Sequence, residues 1–216
     1  MSLPTPRVDP DDEGRSARKR RAILEAGATV FLRNGYVGTS MDEIAARAAV
    51  SKQTVYKHFA DKETLFAEIV IGTVTEASDE VAGEVVELED SGDLEADLRD
   101  LARRQLRLVM QPRILQLRRL VIGESSRFPE LGRTFFERGP ARTIEALTAT
   151  FEHLAERGLL RVDDPPLAAA HFNWLVLSIP LNQAMLLGQD EPADAATLDH
   201  YADAGVRVFL AAYGQR

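Results

Sequence analysis

The chain has 216 residues and a net charge of −8, with 45% hydrophobic and 6% aromatic residues, enough for one domain or for a small domain beside a medium one. It holds no cysteine, which excludes disulfide staples, thiolate zinc sites and a cysteine nucleophile and suits a reducing, cytoplasmic setting. Abundant Ala and Leu, in long runs free of Gly and Pro, favour helix over sheet, so the expected fold class is all-α.

The opening segment, MSLPTPRVDPDDEGRS, carries three prolines and four acidic residues and no apolar stretch of signal-peptide kind, so residues 1–14 read as a disordered tail. From Arg18 to Asn34, apolar residues recur at helical spacing through Ile23, Leu24, Gly27, Val30 and Phe31, and Asn34-Gly35-Tyr36 supplies the stop. Ser40, with Glu43 three residues on, makes a capping box for a short second helix whose apolar face is Ile44, Ala45 and Ala48. Ser51 caps a third helix that ends at Phe59, and Asp61 caps a fourth running from Lys62 towards Glu89. Further helical stretches follow at 94–111, 113–127, 129–138, 140–157, 166–187 and 193–213, with Gly or Pro at their breaks. There is no fixed-period repeat.

Charge is unevenly spread. Residues 15–66 hold ten Lys or Arg against five Asp or Glu, a balance of +5 that leaves −13 for the rest. A basic patch on an acidic chain is the footprint of a phosphate-facing module. Within it, two short helices joined by Ala48-Ala49-Val50-Ser51 have the form of a helix-turn-helix. Val55 and Phe59, four apart, point into a small core with Ile44 and Phe31, and the opposite face offers donors and hydroxyls. Lys52, Gln53 and Thr54, at the start of the third helix behind its cap Ser51, are the candidate base readers, because Lys suits guanine, Gln adenine and the Thr methyl thymine. Tyr56, Lys57, His58 and Lys62 suit phosphate oxygens, as do the backbone N–H groups beside Thr39 and at the helix starting with Lys62. The run RSARKRR, 15–21, reads equally as a solvated helix start or as an arm reaching phosphates or the minor groove.

The stretch GYVGTSMDEIAARAAVSKQTVYKHFADKETLF, 35–66, with RKRRAILEAGATVFLRNGY before it, resembles the DNA-binding domain of TetR-type (tetracycline-repressor-like) transcriptional regulators. The resemblance covers about a quarter of the chain, and its ordered combination of motifs is more specific than a lone one. It implies an N-terminal three-helix helix-turn-helix domain, 15–66, followed by a larger helical ligand-binding and dimerisation domain, 67–216. The segment LRRLVIGESSRFPELGRTFFERGP, 117–140, is similar to the effector domain of the AefR-like subgroup and names no ligand. The function so implied is a ligand-responsive regulator: a repressor that binds a near-palindromic DNA operator as a homodimer and is released by a small, largely apolar effector.

Pro165 to Gln189 contains no Asp, Glu, Lys or Arg and is long enough to span a bilayer, but His171, Asn173, Asn182, Gln183 and Pro180 within it favour burial in protein. One face of the 166–187 helix can pack in the domain and the other against a second subunit, and the last helix offers a matching seam, Leu198, Tyr201, Ala202, Gly205, Val208, Phe209 and Ala212. Two such helices per subunit would form a four-helix interface around a twofold axis, or else the last helix packs within the subunit. For an effector cavity the candidates are aromatic walls from Phe128, Phe135, Phe136, Phe172 and Trp174, with polar contacts from Arg118, Glu124, His171 or Asn173. Each also reads as ordinary core or as a satisfied buried polar group. Arg118 stands out because Ile114, Val121 and Ile122 share its helical face, where a charge needs a partner.

Enzyme readings are weak. The four histidines show no metal-ligand spacing, Gly123-Glu-Ser-Ser-Arg127 lacks the final Gly of a nucleophile elbow, and no phosphate-cradling glycine motif occurs. No catalytic residue, metal or cofactor is expected, and a helical enzyme or a membrane-associated helical protein remain the alternatives.

Overall fold

The computed structural model describes residues 10–187 and 193–215, and its architecture is all-α. In chain order the helices are α1 (Pro10–Gly38), α2 (Met41–Arg47), α3 (Lys52–His58), α4 (Lys62–Glu87), α5 (Leu94–Val109), α6 (Pro112–Glu124), α7 (Pro129–Phe136), α8 (Arg142–Glu156), α9 (Pro165–Leu186) and α10 (Ala195–Tyr213). α1 starts at Pro10, so residues 10–14, assigned above to a tail, are helical, and residues 1–9 lie outside the described residues. A proline's fixed φ and missing N–H suit a helix start. At Gly35 the backbone takes φ 71°, a region closed to most residues with a Cβ, and this ends the helical path of α1. The break expected at Gly139-Pro140 is instead a π turn, Glu137–Ala141, that runs α7 into α8. Pro140 has no N–H to donate, which favours a local change of helical register over a continuous α ladder.

Two compact units meet in sequence between Val70 and Ile71, four residues beyond the boundary read from the sequence. The first is a three-helix core closed by the opening turns of α4. Ile23, Ile44, Val55, Leu65 and Phe66 are fully buried, and the Phe31 ring lies 4.9 Å from Phe66 and 5.9 Å from Tyr36. Such aromatic clustering adds to burial by edge and offset contacts.

In the second unit, α5, α8, α9 and α10 bury Leu98, Leu101, Leu106, Phe151, Phe172, Val176 and Phe209 together. Phe209 packs 5.1 Å from Phe151 and 5.2 Å from Phe172. Arg103 donates to both carboxylate oxygens of Asp203 at 2.8 Å, and Arg107 reaches Asp199 at 2.6 Å, tying α5 to α10. An isolated bridge between Leu160 and Gly214 fastens the end of α10.

The α10 seam needs correcting. Leu198, Ala202, Gly205 and Phe209 are buried against the subunit's own core, so they are not available to a second chain. At Gly205 an added Cβ would lie 3.0 Å from the Leu175 carbonyl oxygen, which shows how closely α9 and α10 approach. Val208 and Ala212 are exposed and Tyr201 is half-buried. The seam read from the sequence merged two faces of one helix. Among the described residues no helix is long and apolar enough to cross a membrane; α9 buries Phe172, Val176 and Ala184 on one side instead.

Candidate nucleic-acid interface and effector cavity

The reading helix is positioned by its own sequence. Ser51 caps α3, its Oγ accepting from Thr54 N at 3.1 Å, while Val55 and Phe59 anchor the inner side at 0% and 1% exposure. That places Lys52, Gln53, Tyr56 and Lys57 outward, with Thr54 and His58 half-buried beside them. Lys52 Nζ is paired with Asp42 Oδ1 at 2.7 Å, and this carboxylate raises the lysine pKa, first through the hydrogen bond and then through its charge. The Thr54 hydroxyl shares a hydrogen bond with Ser51 Oγ at 2.8 Å. His58 is held below its ordinary pKa by burial first, then by the positive charges of Lys57, Arg20 and Lys19.

Two of the expected phosphate contacts have other work. Lys62 donates to the carbonyls of Tyr36 and Thr39, both at 2.9 Å, and its ammonium lies 4.6 Å from the Tyr36 ring centroid. It clamps the end of α1. Thr39 is 3% exposed and its hydroxyl donates to Gly35 O at 2.7 Å, so it closes the same turn. The helix starts are likewise served internally: Ser40 accepts from Glu43 N at 3.2 Å and Asp61 from Thr64 N at 2.7 Å. The Thr64 N–H bond holds the Asp61 carboxyl below its usual range.

Sequence reading missed Asp42 and Arg20. Asp42 sits ten residues before Lys52 on another helix, a pairing no helical periodicity reveals. Arg20, one of five cations in the run 15–21, lies 5.2 Å over the Phe59 ring and pairs with Glu68, so it braces the reading helix from behind.

The second unit holds an open, largely apolar cavity lined by α4, α5, α6, α7, the π turn, α8 and α9. Of the expected lining, Arg118, Phe135, Asn173 and Trp174 are there. The others are elsewhere. Phe172 is fully buried in the main core, Phe136 is 52% exposed, and exposed His171 Nδ1 meets the Tyr213 hydroxyl at 2.7 Å. Glu124 and Phe128 form the turn between α6 and α7, where Phe128 N donates to Glu124 O at 2.8 Å. Helical spacing does not say which side of a helix faces a cavity and which a core.

Arg118 reaches the cavity with its guanidinium 5.2 Å from the Phe135 ring centroid, and its Nε has no hydrogen-bond acceptor. Desolvation lowers its pKa. Sequence reading also missed Gln105, which is 2% exposed and donates from Nε2 to Asn173 Oδ1 at 2.8 Å. Gln105 Oε1 and Asn173 Nδ2 are left without partners. A polar residue in the apolar register of an amphipathic helix was the available signal, since Gln105 follows Leu98, Leu101 and Ala102 on the buried face of α5.

A helix-turn-helix with an outward polar reading face, followed by a separate helical unit with its own cavity, defines a DNA-binding regulator. Residues 96–215 match the family model described as AefR-like transcriptional repressor, C-terminal domain, and residues 23–69 match that of bacterial regulatory proteins of the tetR family. The chain belongs to the TetR family of transcriptional regulators, whose members bind DNA operators, generally as dimers, and are not enzymes.

A solved structure described as a TetR-family transcriptional regulator from Mesorhizobium loti is 44% identical, with a TM-score of 0.88 over 93% of this chain and 99% of that one. A second solved structure, the flavonoid-responsive regulator FrrA, is 34% identical, with a TM-score of 0.72 over 93% and 99%. Among curated proteins, the transcriptional activator FasR of Mycolicibacterium smegmatis is 42% identical over 52 residues, 24% of this chain and 24% of that relative's length.

Proposed function

We propose that the protein is a homodimeric repressor that binds a near-palindromic operator in the cytoplasm and is released by a small, largely apolar effector held in the cavity of the second unit. The observation that carries the effector reading is the cavity itself, in which an apolar wall surrounds a cation and an amide pair with unspent hydrogen-bonding capacity. Buried polar atoms without partners are costly unless something completes them. The repressor sense rests on the description of the matched C-terminal family.

Lys52, Gln53 and Thr54 read bases, while Ser51 sets the helix start; Tyr56, Lys57 and His58 contact the backbone. Dimerisation uses the outer face of α9, where Leu167, Leu175 and Ile179 are exposed at helical spacing, together with Val208 and Ala212 of α10. A single short reading helix covers too few base pairs for useful specificity, and two readers on a twofold axis remedy that.

Binding sites selected from random DNA should be near-palindromes with half-sites about 34–36 Å apart, or a multiple of that. Light scattering should give a dimer at micromolar concentration. Non-palindromic selected sites together with a monomeric protein would overturn the reading. Effector and operator must also weaken one another by the same factor, typically ~5- to 150-fold.

A further inference from the structure

Gln105 on α5 and Asn173 on α9 sit side by side in the cavity lining, both almost fully buried, and one hydrogen bond joins them. The two carboxamides offer two NH2 groups and two C=O groups, and the mutual bond uses one of each. Exchanging the oxygen and nitrogen of both side chains reverses that bond but changes nothing in the total, so either assignment leaves an N–H and a C=O unspent. The complement to such a pair is a neutral group that both donates and accepts. A hydroxyl does this with one atom.

Arg118 makes a different demand. It is a guanidinium in a largely apolar wall, and among the described residues no carboxylate lies within ion-pair distance of it. A desolvated cation is completed best by an anion, and the planar guanidinium fork matches a carboxylate. The rest of the wall is largely aliphatic and aromatic, with Leu108, Ile114, Leu117, Leu177, Phe135 and Trp174 beside the hydroxyls of Thr73, Ser78 and Thr143. Flat rings fit against Phe135 and Trp174.

Building on the effector reading above, we propose that the effector is a small aromatic acid: a body of one or two fused rings, a carboxylate that pairs with Arg118, and a hydroxyl that completes the Gln105–Asn173 pair. The two anchors sit on separate helices, α6 for Arg118 and α5 with α9 for the amides, so one molecule that satisfies both bridges three helices of the unit. An apolar molecule of the same size leaves both positions open and binds by area alone.

Four matched probes test this by calorimetry at pH 7 on the full chain: naphthalene, 2-naphthol, 2-naphthoate and 6-hydroxy-2-naphthoate. The hydroxy acid should bind tightest, with the carboxylate and the hydroxyl each contributing about tenfold or more, as hydrogen bonds to buried partners do. Arg118→Met should remove the gain from the carboxylate and keep the gain from the hydroxyl. The double variant Gln105→Met/Asn173→Leu, which leaves no orphaned amide behind, should do the reverse, with circular dichroism and a thermal melt confirming its fold. If it does not fold, the wild-type and Arg118→Met series still decide both anchors.

Equal affinities for all four probes, naphthalene binding tightest, no binding by any of them, or a carboxylate gain that survives Arg118→Met would overturn the proposal. Adding operator DNA separates this from the functional reading. Equal binding by all four probes with loss of operator affinity would retain an effector-released regulator and remove the anchors. Selective binding of the hydroxy acid with unchanged operator affinity would retain the anchors and remove the release.

Discussion

Lys52 Nζ lies 2.7 Å from Oδ1 of Asp42, so the first residue of the reading helix is held by a carboxylate on the helix before it. Both side chains are exposed, and the pair must open for Lys52 to reach a base edge. Asp42→Asn is therefore expected to strengthen binding to every sequence severalfold, most at low salt, because it frees the lysine and removes a negative charge facing phosphate. Lys52→Ala should instead relax preference at one position per half-site by about tenfold, whereas Tyr56→Phe should weaken all sequences alike. Binding profiles over single-base operator variants check all three, and uniform weakening by Lys52→Ala would remove its reading role.

Lys62 differs from the other cations near α3 because its ammonium is committed to two carbonyls at the end of α1. Lys62→Met is expected to destabilise the protein by about 1–3 kcal/mol, the cost of leaving those acceptors without a charged donor. Urea unfolding followed by circular dichroism measures this. The slope of operator affinity against salt should stay the same, since no phosphate contact is lost.

His58 gives two pH effects of opposite sign. Its folded pKa lies below the ordinary 6.5, so the unfolded chain binds the extra proton first. Its contribution to stability is full above pH 6.5 and is lost as pH falls towards the lowered folded value. Nearby phosphates favour the imidazolium, so operator binding takes up a proton and tightens over the same fall in pH. In His58→Gln both trends should flatten, as thermal melts and gel retardation from pH 8 to pH 5.5 would show.

Substitutions on α9 and α10 should separate assembly from folding. Ile179 is 53% exposed within the apolar outer face of α9, and Ile179→Glu is expected to give a folded monomer that loses operator affinity. Gly205→Leu acts inside the subunit, where a side chain meets the backbone at Leu175, and should lower thermal stability first. Light scattering and thermal melts on the two variants distinguish these outcomes. A dimeric Ile179→Glu protein would move the interface elsewhere.

The sequence by itself determined the local features. Capping by Ser40, Ser51 and Asp61, the pairing of Val55 with Phe59, and the charge surplus of residues 15–66 are encoded within a few residues of one another, and cap, periodicity and charge are properties of short segments. The all-α class and the family resemblance followed from them. Only the tertiary structure decided which expected contacts were already spent. Lys62 and Thr39 look like phosphate ligands until the end of α1 is placed beside them, and Phe172 looks like a cavity wall until Phe151 and Phe209 enclose it. The α10 seam shows the same limit, because a run of apolar residues marks a buried stripe without saying whether the same chain or another one covers it. Gln105 and Asn173 are 68 residues apart, and their hydrogen bond exists only because folding brings α5 and α9 together.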